Sequence, residues 1–159
     1  MCPNILAVQG NLAHTYNMLG RREEASHVQR DVYFGFLKLR GEEHNDTFMA
    51  AINYASSLID IERFEEARSL LRRTIPVARR VLGDGHRLTL KMRLLYAMAL
   101  YRNDGAKLKD LREAVTALEE TERTARRVLG GSHPTTRAIE GALRDARAAL
   151  QAATLEREK

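Results

Sequence analysis

The sequence predicts an all-α protein of about seven helices, arranged as a stack of antiparallel helix pairs. Three observations carry that prediction. Ala, Leu, Arg and Glu are abundant, while the 159 residues hold only three prolines and no tryptophan, a composition that favours helix throughout. The stretch RVLGDGHRLT at 80–89 returns as RVLGGSHPTT at 127–136, so the chain repeats itself. Between such stretches apolar residues recur every three or four positions, the period of a helix with one buried face.

The register of the repeat is set by a few positions. His44, His86 and His133 each lie three residues after a glycine (Gly41, Gly83, Gly130) and three before a threonine (Thr47, Thr89, Thr136). Nineteen residues before each histidine stands an alanine that follows a glutamate: Glu24-Ala25, Glu66-Ala67 and Glu113-Ala114. The histidines are 42 and 47 residues apart, so the unit is about 42 residues with five extra in its third copy. Asn103-Asp104-Gly105-Ala106-Lys107 is the place expected for the insertion. We therefore read residues 1–159 as one repeat domain, with repeats at about 3–43, 45–85 and 87–132 and a capping helix at about 134–157.

The first repeat opens with Met1-Cys2-Pro3-Asn4, which aligns with the turn after each glycine, Pro3 matching Pro134. A start at a repeat boundary is what a fragment of a longer adaptor or scaffold protein would show. In the second repeat Phe48, Ile52, Ala55, Leu58 and Ile61 make one apolar stripe. After the polar break Glu62-Arg63, a second stripe follows at Phe64, Ala67, Leu70, Leu71 and Ile75. Ala13, Ala55 and Ala97, like Ala25, Ala67 and Ala114, are expected where helices approach closely. Gly41, Gly83 and Gly130 are expected in the left-handed position that ends a helix. Asp46, Thr47, Thr89, Thr135 and Thr136 are the candidate caps for the helices that follow. Pro76 falls inside a helical stretch, where it removes a backbone donor and should bend the helix near residues 72–76. The final helix, AIEGALRDARAALQAATLEREK, is alanine-rich with a polar end, as suits the end of a stack.

Several function classes are disfavoured. The formal charge of +5 invites nucleic acid, but arginines alternate with glutamates over 21–24, 62–68 and 119–127, as on solvated helix faces. No basic strip interleaved with aromatics occurs. No apolar run reaches the roughly 18–20 residues that span a bilayer, and no signal peptide opens the chain. The single Cys2 excludes an internal disulfide framework and fits a reducing compartment, so a cytoplasmic protein is expected. No G-x-S-x-G, P-loop, dinucleotide fingerprint or H-E-x-x-H is present, and Cys2 has no motif around it. The three turn histidines are a repeat apart, roughly 10 Å by the spacing of packed helices. Zinc ligands must each come within about 2 Å of the metal, so these three do not converge on one ion. No catalytic residue, cofactor or metal is expected.

The repeat resembles the tetratricopeptide repeat (TPR), in the 42-residue form of kinesin light chains and their relatives. The residues that carry the resemblance are LGGSHPTT, NLAHTYNMLGRREEA (11–25) and NYASSLIDIERFEEA (53–67), with LYAMALYRNDGAKLKDLREA (95–114) as a more degenerate copy. The resemblance spans essentially the whole chain. It implies a right-handed superhelical stack, a TPR-like α-solenoid, whose first helices line a concave groove and whose second helices form the convex back. It also implies a non-catalytic module that binds a peptide or segment of a partner protein.

Carried over position by position, the resemblance puts Asn11, His14 and Met18 in the groove from the first repeat. Met49, Asn53, Ser56 and Asp60 come from the second, and Lys91, Leu95, Met98 and Arg102 from the third. Ala138, Ala142 and Asp145 belong to the last helix. Asn11 and Asn53 match asparagines that hold the backbone of an extended peptide in this family. An asparagine side chain both donates and accepts, as a peptide N–H and C=O require. The pattern breaks at Leu95 and Ala142. Gly10, His14 and Leu95 do not fit the carboxylate clamp of chaperone-binding repeats, for which only Asn53 and Lys91 are suitable. Lys91 and Arg102 make the second half of the groove mildly cationic and point to an acidic partner segment. The alternatives are a structural or self-associating spacer joined through exposed stack ends and, less favoured, a basic helical repeat for nucleic acid.

Overall fold

The computed structural model describes residues 3–157, and Cys2 lies outside them. These residues form seven α-helices and no strand. They are α1 (Pro3–Met18), α2 (Arg22–Arg40), α3 (Asn45–Asp60), α4 (Phe64–Leu82), α5 (Arg87–Tyr101), α6 (Leu108–Leu129) and α7 (Pro134–Arg157). The chain divides into two compact units, parted between Val81 and Leu82.

Helix lengths follow the sequence period. In the first two repeats a 16-residue helix, a three-residue turn and a 19-residue helix recur. The third repeat has 15 residues in α5, a six-residue loop at 102–107, and 22 residues in α6. The insertion is therefore shared between the expected loop and an extension of α6. The short turns force each pair antiparallel, and their bonding also repeats. Arg21 N–H donates to the Tyr16 carbonyl at 2.9 Å, and Arg63 N–H to Leu58 at 2.8 Å. The intervening residue has positive φ both times: 74° at Gly20, but 61° at Glu62, where a side chain makes that conformation costly.

In the first unit α1 packs on α2 and α2 on α3. Leu6, Ala13, Ala25, Phe48, Ala51, Ala55, Leu58, Ala67 and Leu71 are fully buried. The alanines of both the Glu-Ala signature and the first helices thus stand at contact points, as the sequence implied. In the second unit α5 packs on α6 and α7, and α6 on α7, around Leu90, Leu100, Leu118, Ile139 and Leu143. Ala97, Ala114, Ala125, Ala142 and Ala146 complete that core. The helix α4 runs on through the exposed Pro76.

The turns between repeats correct two expectations. Gly41, Gly83 and Gly130 do take positive φ (84°, 90° and 85°), but ψ at Gly41 and Gly130 is 174° and 160°. Those two residues are extended in a region open essentially to glycine alone, rather than left-handed helical. Nor do the threonines or Asp46 cap the next helix. The histidines do. Nδ1 of His44 accepts from Asp46 N–H at 3.1 Å, His86 Nδ1 from Leu88 N–H at 3.2 Å, and His133 Nδ1 from Thr135 N–H at 3.1 Å. The imidazole reaches the second helical amide because the residue before the helix is extended, with ψ of 142° at His44 and 138° at His86. Since His44 Nδ1 accepts that bond, its 3.5 Å approach to the Asp46 carboxylate is not an ion pair. The threonines turn inward instead: Thr47, Thr89 and Thr136 are buried, and Thr47 Oγ1 donates to the Gly41 carbonyl at 2.6 Å.

Candidate functional site

In the first unit an open groove of about 480 Å³ lies between α1 and α3, with α2 as its floor. Helical spacing explains its walls. Gly10, Asn11, His14 and Asn17 come from one face of α1, and Asp46, Met49, Asn53, Ser56 and Asp60 from one face of α3. Gln29, Val32 and Phe36 of α2 close the bottom.

The structure thus brings Asn11, His14, Met49, Asn53, Ser56 and Asp60 to one place. Met18 is 76% exposed and lies outside this lining; Asn17, one residue earlier, takes the place on that face of α1. Among the described residues, the side chains of Asn11, His14, Asn53 and Asp60 make no hydrogen bond or ion pair. The lining contains two carboxylates, Asp46 and Asp60, and no lysine or arginine.

Gln29 was missed by the sequence reading, which carried over only first-helix positions. It interrupts the buried face of α2 between Ala25-Ser26 and Val32, and a glutamine in an apolar stripe is the signal that could have found it. It is 6% exposed, and its Oε1 has no hydrogen-bond partner.

In the second unit, Lys91 of α5 and Arg102, which caps its C-terminal end, are exposed, Met98 is half-buried and Leu95 is buried. On α7, Ala138 and Asp145 are exposed while Ala142 is buried in the core. Burial pushes the Tyr101 phenol up, helped by the nearby Asp145 carboxylate and opposed by Arg102. A second cavity in this unit is lined by Lys107, Lys109, Arg112 and Glu156 among others, and by none of the sequence-predicted residues. Among the described residues, no group of three or more His, Cys, Asp or Glu side chains could hold a metal ion.

The Glu-Ala signature has a structural explanation. Glu24 takes the Arg21 guanidinium at 2.9 Å and Glu66 takes Arg63 at 2.6 Å, which fastens the first turn of α2 and of α4. The Arg21 hydrogen bond holds the Glu24 carboxyl below its ordinary range. In the third copy Glu113 instead accepts from Tyr96 Oη at 2.5 Å. The alanine that follows in each copy is fully buried.

Successive helix pairs, the first two of equal length with three-residue turns, punctuated by the same histidine-capped loop, define a helical-repeat protein. The tetratricopeptide repeat family model matches residues 5–46 and 47–88, and the chain belongs to that family. Among solved structures, the chain is similar to a putative kinesin light chain from Podosopora anserina with nearly identical TPR-like repeats, solved in two forms, one of them carrying a single substitution. Identity to each is 24%, covering 99% of this chain and 72% of that one, with TM-scores of 0.78 and 0.75. BtubC (BKLC) from P. vanneervenii is similar over 96% of this chain and 63% of its own, at 16% identity and a TM-score of 0.68. At these identities the likeness is one of fold. No curated protein matches the chain. Among the described residues, no helix is long and apolar enough to cross a membrane.

Proposed function

We propose that this chain is a non-catalytic protein–protein interaction module that holds an extended segment of a partner in the groove between α1 and α3. TPR domains generally bind proteins; the particular reading rests on Asn11 and Asn53. These two side-chain amides stand on opposite walls of one open groove, without partners among the described residues. Each offers a donor and an acceptor, the pair that an extended backbone leaves unmet. In the second unit the exposed Lys91 of α5 and Arg102, just past its end, suit acidic side chains. The module serves, on this reading, within a larger cytoplasmic adaptor or scaffold.

The test uses a partner isolated by pull-down with the full chain. Replacing Asn11 and Asn53 together with alanine removes up to four hydrogen bonds, at about 0.5–1.5 kcal/mol each, so affinity should fall at least tenfold. Equal binding by the double variant would sink the assignment.

A second reading has its own support. Ile5, Val8 and Leu12 are exposed along α1 at spacings of three and four, with exposed Leu19 in the turn that follows, an apolar stripe at one end of the first unit. Self-association through this stripe is the structural alternative. Sedimentation of an Ile5→Ser, Val8→Ser variant decides it, since only a self-associating chain would become smaller.

A further inference from the structure

The first helix leaves open a face that its counterparts bury. The 42-residue register places Ile5, Val8, Leu12 and Thr15 of α1 at the positions of Thr47, Ala50, Tyr54 and Ser57 on α3. On α7 the same positions hold Thr136, Ile139, Leu143 and Ala146. On α3 and α7 every one of these is buried, none more than 9% exposed. On α1 all four are exposed, Val8 to 66%.

What covers those positions is the second helix of the preceding repeat. Ser57 Oγ donates to Ser26 Oγ at 3.4 Å, and the Tyr54 ring stacks on Tyr33 with centroids 6.1 Å apart, both partners being on α2. Ile139, Leu143 and Ala146 share one core with Leu118 and Ala125 of α6. The face of α1 thus repeats a surface that on α3 and on α7 receives a helix. Its composition fits the same use. The 16 residues of α1 include no Asp, Glu, Lys or Arg, whereas α7 exposes Arg137, Arg144, Asp145 and Arg147. Exposed Ile, Val and Leu in successive turns of an uncharged helix are the pattern of a helix covered on both sides.

We infer that this face of α1 binds an amphipathic helix of another protein, laid across it as α2 lies on α3 and α6 on α7. The site is separate from the groove, whose lining includes none of Ile5, Val8, Leu12 and Thr15. The occupant is patterned like the chain's own second helices, with apolar or small residues every three or four positions. It is recognised without flanking charge. Ion pairs from Arg126 to Glu140 and from Arg147 to Glu119 border the contact of α6 with α7. At the positions of Glu140 and Arg147, α1 carries the neutral Gln9 and Tyr16. A second copy of the chain is a poorer occupant. Its α2 and α6 are each already held between two first helices. Its α7 would bring arginines to an uncharged face, and its α1 is a first helix, whereas α3 and α7 each receive a second.

The probe is a fluorescein-labelled peptide of residues 108–129, the α6 sequence, with a scrambled peptide of the same composition as control. Binding to the full 159-residue chain is read by fluorescence polarisation. The α6 peptide should bind and gain helix by circular dichroism on mixing, and the scrambled peptide should not. Ile5→Ser with Val8→Ser, both at exposed positions and leaving the chain's own circular dichroism unchanged, should weaken binding at least tenfold. Asn11→Ala with Asn53→Ala should bind the peptide as the parent does; an equal loss there would put the peptide in the groove instead and overturn the assignment. Raising salt to about 1 M should leave the affinity within about twofold, and a steep loss would contradict an apolar contact. Absence of binding, binding of the scrambled peptide, or unchanged binding by the serine variant, as exchange for the chain's own α6 would give, each refutes the proposal. So does a parent chain that sediments as a dimer and becomes monomeric with the serine substitutions, since a second copy is then the occupant.

Discussion

The capping histidines invite the sharpest test of how this repeat is held together. In three turns an imidazole Nδ1 accepts the second amide of the following helix, at 3.1, 3.2 and 3.1 Å. Replacement by alanine leaves that amide to water and removes an extended-backbone cap, a change worth about 0.5–2 kcal/mol per site. His86 is the most open to solvent of the three, so its loss should fall at the lower end of that range. For a chain of this size about 1 kcal/mol corresponds to roughly 2–4 °C in Tm. The three sites share no partners, so the triple alanine variant should lose close to the sum of the single losses. Asparagine offers an acceptor to the same amide, and His→Asn at each site should recover most of the loss. Thermal and urea unfolding of the single, triple and asparagine variants provides the readout. Nitrogen NMR shifts of the parent should show Nδ1 unprotonated at all three histidines. If alanine and asparagine variants melt together with the parent, or Nδ1 carries the proton, the histidines are not caps.

Three further outcomes are expected. Glu62→Gly relieves a left-handed conformation that costs about 1–2 kcal/mol and returns some backbone entropy, so it should raise stability by up to about 1 kcal/mol in urea unfolding. Pro76→Ala restores a backbone donor inside α4 at an exposed position, and should stabilise by about 1–3 kcal/mol in the same assay. Tyr54 and Tyr101 are both pushed up by burial, so the folded chain holds their protons to higher pH than the unfolded chain does. Their contribution is fully present below the ordinary phenol range near pH 10 and is lost as pH rises through the raised values. Stability should therefore decline in alkali, and Tyr54→Phe with Tyr101→Phe should flatten that decline; an unchanged slope would contradict the assignment.

Much of the architecture was legible because it depends on residues close in sequence. The 3.6-residue apolar period, the glycines at helix ends and the 42-residue register are local signals, and each marked a helix or turn that the structure contains. Local signals misled where two chemistries competed for one role. Threonine and aspartate are stronger N-cap formers in general, yet here the side chain that reaches the free amide is histidine. The threonines three residues on are drawn into the interior, which no capping preference foretells.

The groove divides in the same way. That Asn11, His14, Asn53 and Ser56 share first-helix faces followed from spacing and from the family's register. That Gln29 lies beneath them did not, because α2 meets α1 and α3 only through packing between elements far apart in sequence. The same holds for charge. The sequence shows a basic chain of net charge +5, whereas the groove of the first unit is lined by two carboxylates and no lysine or arginine. Periodicity decides which face of each helix is buried. Only the packing of those faces decides which polar groups are left without partners, because burial and hydrogen bonding belong to neighbours in space.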